Sequence, residues 1–133
     1  MATKMLEATV RQHGPVAVIE MHGEIDSFGE EALNAAYAEA EERQPAAVLL
    51  NFAGVDYINS TGIALIVGLL ARARKAGAKV LTTGLSPHYV EIFEITRLAD
   101  FMTIFPDEAS ALEYRASLAR RAAQSAAAGP PAP

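Results

Sequence analysis

The chain has 133 residues, about half of them apolar, no cysteine and a formal net charge of −5. That length suits one domain around one core. Without cysteine there are no disulfides, thiolate metal sites or thiol catalysis, and the acidic balance argues against a nucleic-acid partner, whose phosphates ask for a basic face.

The first residues, MATKMLEATVRQ, lack the apolar segment of a signal peptide. The longest apolar run, Ile63 to Ala71, is too short to span a bilayer. The expectation is a cytoplasmic protein without membrane insertion. LEATVRQ (Leu6–Gln12) alternates apolar and polar residues, and VAVIEMHG (Val16–Gly23) is β-branched and mostly apolar. With HGP as the turn between them they read as an antiparallel hairpin. In GEIDSFGEEALNAAYAEAEERQ a capping box of Ser27 and Glu30 is expected to open a helix. Alanine and glutamate carry it to about Arg43, and Pro45 stops it.

AAVLLNFAGV (Ala46–Val55) is nearly all apolar, as a central strand should be. DYINSTG (Asp56–Gly62) reads as a loop, followed by a helix to about Ala76 with Gly77 as its stop. AKVLTTG (Ala78–Gly84) is the next strand, and Ser86 with Pro87 opens a third helix. FMTIF is a short last strand and PDEASALEYRASLARR a last helix. The ending AAQSAAAGPPAP has no periodicity and reads as a disordered tail. The order β-β-α-β-α-β-α-β-α implies an α/β fold: a mixed, mostly parallel sheet with right-handed crossovers and an antiparallel edge.

Open α/β sheets place their sites beyond the strands' C-terminal ends. Two stretches fall there, GEIDS (Gly23–Ser27) and DYINSTG, and together they gather Glu24, Asp26, Asp56, Ser60 and Thr61. Ser60 and Thr61 admit two readings. Asn59 or Ser60 can cap the helix, worth roughly 1 kcal/mol. Alternatively, one hydroxyl accepts a phosphoryl group, which a helix N-terminus tolerates because its free N–H groups and dipole favour negative charge. Asp26 is either a turn residue or an acid that positions a hydroxyl or a metal–nucleotide complex. The helix after Thr61 is apolar nearly all round, which fits either burial on several sides or a ridge facing a partner. His13, His22 and His88 have no metal-ligand spacing, and no nucleophile elbow or phosphate-binding loop is present. Independent catalysis is not expected.

GEIDSFGEEAL, the long run from LLNFAGVDYINSTG to LADFMTIF, and DEASAL resemble the STAS superfamily, specifically the bacterial anti-sigma-factor antagonists. The resemblance covers about Leu6 to Leu118 in order, and D-Y-I-N-S-T-G before the apolar helix is its most specific part. It implies a single STAS domain over 1–122, with four helices chiefly on one face of the sheet, and an Ala/Pro-rich tail over 123–133. It implies no enzyme activity and no cofactor. The implied role is to bind an anti-sigma factor when unphosphorylated. The anti-sigma factor is often a serine kinase of the histidine-kinase-like ATPase fold, and it phosphorylates the antagonist to end binding; a PP2C-type phosphatase reverses this. Carried over, the acceptor is Thr61, with Ser60 as the alternative, and Asp26, Ser27, Asn59, Ser60 and Gly62 surround it. Asn59 stands where many phosphorylated members have aspartate, and Arg97 where a glycine commonly ends the third helix. The rival implication is an unphosphorylated scaffold or accessory subunit of a stress-sensing or lipid-transport complex.

Overall fold

The structure, a computed structural model, describes residues 4–116. The expected end of the last helix, the domain end at 122 and the tail over 123–133 lie outside the described residues. Five strands, β1 (Glu7–His13), β2 (Val16–Ile25), β3 (Ala47–Ile58), β4 (Lys79–Thr83) and β5 (Thr103–Phe105), form one sheet in the order β1-β2-β3-β4-β5. The β1–β2 pair is antiparallel, joined through Gly14 and Pro15, and the other three pairs are parallel. Helices α1 (Glu30–Glu42), α2 (Ser60–Ala76) and α3 (Pro87–Ile95) fill the successive crossovers. A further helix, α4, covers 108–116 at the end of the described range.

The strand order explains the layering. Each crossover steps to the next strand in the same direction, so right-handed connections put α1, α2 and α3 on one face. On that face Ala17, Ile19, Met21, Val48, Leu50, Phe52 and Val80 form the main core with Leu33, Tyr37, Ile66, Leu69 and Phe93. Phe52 and Phe93 meet edge to face, with ring centroids 6.1 Å apart. Residues of opposite parity, Val16, Val18, Ala47, Leu49 and Leu81, turn to the other face and are covered by Ala111 and Leu112 of α4. The mixed, mostly parallel sheet with four helices chiefly on one face is therefore as the sequence implies.

Two expectations need correction. Ser27 and Glu30 do not form a capping box. A 3-10 turn, Ser27–Gly29, comes first, and its cap is Asp26, whose side chain accepts from the Phe28 N–H at 3.0 Å. Helix α1 then starts at Glu30 behind Gly29 with no side-chain cap. The first three residues of each of the two sheet-edge stretches, GEIDS and DYINSTG, are strand. β2 runs to Ile25 and β3 to Ile58, with Glu24 opposite Tyr57 and Ile25 opposite Ile58. Renewed parallel pairing at Tyr57 and Ile58 carries the strand past Asp56, a turn residue by composition. The register slips twice along this pair, so β3 holds an extra residue on each occasion and Asp56 has no partner on β2. Elsewhere, Gly77 ends α2 in the left-handed conformation, as expected. Arg97 adopts φ 68° after α3, where an L side chain carries strain of about 1 kcal/mol. Arg97 Nε donates to Asp100 Oδ2 at 2.7 Å. The missing glycine is thus a matter of local backbone shape.

Helix α4 is held to the sheet by charge as well as by apolar contact. Glu108 pairs with Arg11 of β1 and accepts from Asn51 of β3 at 3.3 Å. The hydrogen bond from Arg11 holds the Glu108 carboxyl below the usual carboxylate range. A group with a depressed folded pKa stabilises fully above its unfolded value and loses that contribution as pH falls through the folded one. Replacing Glu108 with Gln should therefore lower stability by up to about 1 kcal/mol at neutral pH. Urea titrations at several pH values should show this gap closing below about pH 4.

Candidate functional site

The candidate residues meet where β2 and β3 end side by side. The Asn59 N–H donates to the Ile25 carbonyl at 3.2 Å, so one residue separates strand pairing from the first residue of α2. Asn59 is the N-cap, extended at ψ −177°, and its Oδ1 accepts from the Gly62 N–H at 2.8 Å. Its carbonyl accepts from Ile63 at 2.9 Å, the first bond of the helix.

Gly62 is buried at the closest approach of α2 to the sheet. A Cβ there would stand 2.0 Å from the Ile25 carbonyl oxygen and 3.0 Å from Ile58 Cγ2. The glycine lets the helix start directly against β2, so Ser60 and Thr61 follow the end of β3 where Asp26 and Ser27 follow the paired end of β2. Asp26 is half-buried and uses Oδ1 on the Phe28 amide; its other oxygen has no partner among the described residues. Ser27, Ser60 and Thr61 are exposed. Neither the Ser60 nor the Thr61 hydroxyl makes a hydrogen bond among the described residues. Capping thus falls to Asn59 alone, and both hydroxyls stay free for other use.

Successive residues of α2 turn by about 100°. Ile66, Leu69, Leu70 and Ala73 point into the core, while Ser60, Thr61, Ala64, Val67, Gly68 and Ala71 line the outer side. Val67 is 45% exposed, and the first charge on the helix is Arg72, three turns beyond Thr61 and paired with Glu41 of α1, ahead of Arg74 and Lys75. The apolar helix therefore does both things its composition allows: it fills the core and shows an uncharged face beside Thr61. Glu24, Asp26, Glu30, Glu31 and Asp56 surround this end of the molecule. Asp56 pairs with Lys4 at 3.4 Å, an exposed contact of little energetic weight.

Two residues of the region are not singled out by the sequence pattern. Phe28 is 75% exposed on the turn after Asp26, an aromatic ring set among acids. Its only sequence clue is an aromatic inside a polar stretch. Tyr89 reaches from α3 to the end of β3 and accepts from the Ile58 N–H at 2.9 Å. A contact spanning 31 positions has no local signature.

The two glycines of α2 give a paired test. Gly62→Ala should cost at least about 3 kcal/mol, because its methyl meets backbone rather than a movable side chain. Nothing lies within 4 Å of a Cβ at position 68. Gly68→Ala should therefore raise stability by about 0.5–1 kcal/mol through helix propensity. Chemical denaturation of both variants checks the pair.

The chain matches the STAS domain over residues 7–111. BtrV of Bordetella bronchiseptica is 29% identical over 104 residues, covering 75% of this chain and 87% of its own. The anti-sigma-B factor antagonist of Bacillus subtilis strain 168 is 27% identical over 99 residues, covering 74% of this chain and 90% of its own. Among solved structures, the anti-sigma factor antagonist SpoIIAA in its unphosphorylated form superposes with a TM-score of 0.64 at 16% identity, covering 83% of this chain and 97% of its own. Its phosphorylated form gives 0.64 at 19% identity, covering 80% and 97%. At such identities the structures establish shared fold alone. The domain match spans most of the chain and includes the Asn59–Gly62 cap, and with it the chain belongs to the STAS-domain family.

Proposed function

We propose that this protein is an anti-sigma-factor antagonist, a binding protein and not an enzyme, switched off by phosphorylation of Thr61. The observation that carries the reading is the division of labour at the start of α2. Asn59 caps the helix, and Thr61 is left exposed and unpaired beside an uncharged helical face. The B. subtilis relative is itself named an anti-sigma-B factor antagonist. SpoIIAA, whose fold this chain shares, is described in unphosphorylated and phosphorylated forms.

In the unphosphorylated state the outer face of α2, with Ala64, Val67, Gly68 and Ala71, docks the anti-sigma factor, and the exposed Phe28 ring adds a rim contact. The partner is a serine kinase of the histidine-kinase-like ATPase fold. Asp26, with one carboxylate oxygen free, helps place the Thr61 hydroxyl or the metal–nucleotide complex the kinase brings. Phosphorylation adds a charge of about −1.5 to −2. The helix N-terminus accommodates it, so the fold survives while the docking face gains bulk and negative charge in an already acidic setting. A differential affinity of about 3 kcal/mol switches binding by more than a hundredfold. A PP2C-type phosphatase resets the switch. Asn59, in place of aspartate, supplies the cap from its side-chain oxygen as a carboxylate would, so this departure leaves the geometry of the acceptor loop in place. Ser60 is the alternative acceptor. The whole cycle is that of a cytoplasmic regulator with no nucleic-acid contact of its own.

The test is capture from a lysate of the source cells, comparing wild type, Thr61→Glu and Thr61→Ala, with bound proteins identified by mass spectrometry. Wild type and Thr61→Ala should retain a kinase-fold anti-sigma factor, and Thr61→Glu should lose it more than a hundredfold. Retention of the same transporter or sensor subunits by all three forms would instead identify a scaffold.

A further inference from the structure

We propose that Tyr89 is a positioning residue for the acceptor loop, a role that rests on reading Thr61 as the phosphate acceptor. Strand β3 has 12 residues, but β4 pairs only with Ala47–Asn51. From Phe52 onward, the edge of β3 that faces β4 has no strand beside it. In a strand, the N–H and C=O of one residue point to the same edge. The Asn59 N–H turns toward β2 and reaches Ile25, so the polar groups of Ile58 turn the other way, to the edge that β4 has left. An unpaired amide at a half-covered edge is costly.

Tyr89 fills that place. Its hydroxyl accepts from the Ile58 N–H at 2.9 Å and stands 3.5 Å from the Ile58 carbonyl oxygen, so one side chain faces both groups a strand partner would have served. The first of these is a normal hydrogen bond and the second a long one. The ring is itself placed from below. Ser86 caps α3 by accepting from the Tyr89 N–H at 3.3 Å, and the His88 ring meets it at a centroid distance of 5.0 Å. Ile58 is the residue before the cap. Fixing its peptide fixes the direction in which Asn59 enters α2, and Asn59 in turn holds Gly62 and the turn that carries Thr61. The chain of contacts therefore runs from Ser86 through Tyr89, Ile58 and Asn59 to the acceptor, and α3 has a direct hold on the loop.

The experiment uses Tyr89→Phe, which keeps the ring and its packing, with Tyr114→Phe as a control at an exposed tyrosine far along the chain. Amide hydrogen exchange followed by NMR reads the loop without any partner. Protection of Ile58 falls in Tyr89→Phe under any account, because its acceptor is gone. The diagnostic amide is Gly62, whose acceptor is Asn59: at least a tenfold loss of protection there, with Thr9 in the β1–β2 hairpin unchanged, is the expected result. Gly62 protection equal to wild type would overturn the proposal. The second readout is the rate at which the purified chains gain phosphate in source-cell lysate with ATP, resolved on phosphate-affinity gels, with Thr61→Ala as the blank. Tyr89→Phe should be modified at least fivefold more slowly than wild type, and equal rates would also overturn the proposal. If wild type gains no phosphate, the acceptor reading is what fails, and the Gly62 amide still decides whether Tyr89 positions the loop.

Discussion

The first turn of α2 rests against the backbone of β2, and the site depends on that contact. It leaves no room for a side chain at position 62, since a methyl would overlap the Ile25 carbonyl oxygen. Because the helix begins there, β3 must deliver the chain to the end of β2 with a single linking residue. That requirement accounts for the long β3, the two slips in its register with β2, and the extended backbone of Asn59. A looser connection would have left a flexible loop. This one leaves a rigid corner with two hydroxyls on its outer side.

The corner separates two tasks that often fall to one residue. A serine or threonine at an N-cap uses its oxygen on the helix and is poorly available to a partner. Here Asn59 takes the cap, and Ser60 and Thr61 follow inside the first turn, pointing outward. The same turn keeps its dipole and free amides, which favour a negative group placed there. On the proposed reading, a phosphate on this corner would act on a partner docked against the surface, with little effect on the fold beneath. The uncharged outer side of α2 makes the contrast large: a dianion beside Ala64 and Gly68 changes the surface more than it would on a face already full of charge.

Most of the fold was legible because its signals are local. Apolar runs gave the central strands, Gly77 and Pro87 gave helix ends, and the alternation of elements gave a parallel sheet wound on one face. The failures have physical causes of one kind. Asp56 is a turn residue by composition, and the chain stays in a strand past it because Tyr57 and Ile58 pair with Glu24 and Ile25 of β2. Ser27 and Glu30 have the spacing of a capping box, but Asp26 captures the Phe28 amide first and inserts a 3-10 turn. That the candidate residues Asp26, Ser27, Asn59, Ser60, Thr61 and Gly62 fall at one sheet edge was legible from the order of elements, since they lie in two short stretches after β2 and β3. Which of Asn59 and Ser60 caps the helix was not legible, because both have suitable side chains and only backbone geometry chooses. The Arg11–Glu108 pair and the Tyr89–Ile58 bond join distant segments and leave no trace in local pattern.

Mapping phosphate on the chain itself tests most directly whether Thr61 is the modified residue. The protein would be purified from its own cells under phosphatase inhibition, sampled through growth and starvation, and fragmented for mass spectrometry. A single phosphate on Thr61 in part of the population is the predicted result. No phosphate at any stage, or a phosphate on Ser60 with Thr61 unmodified, would contradict it.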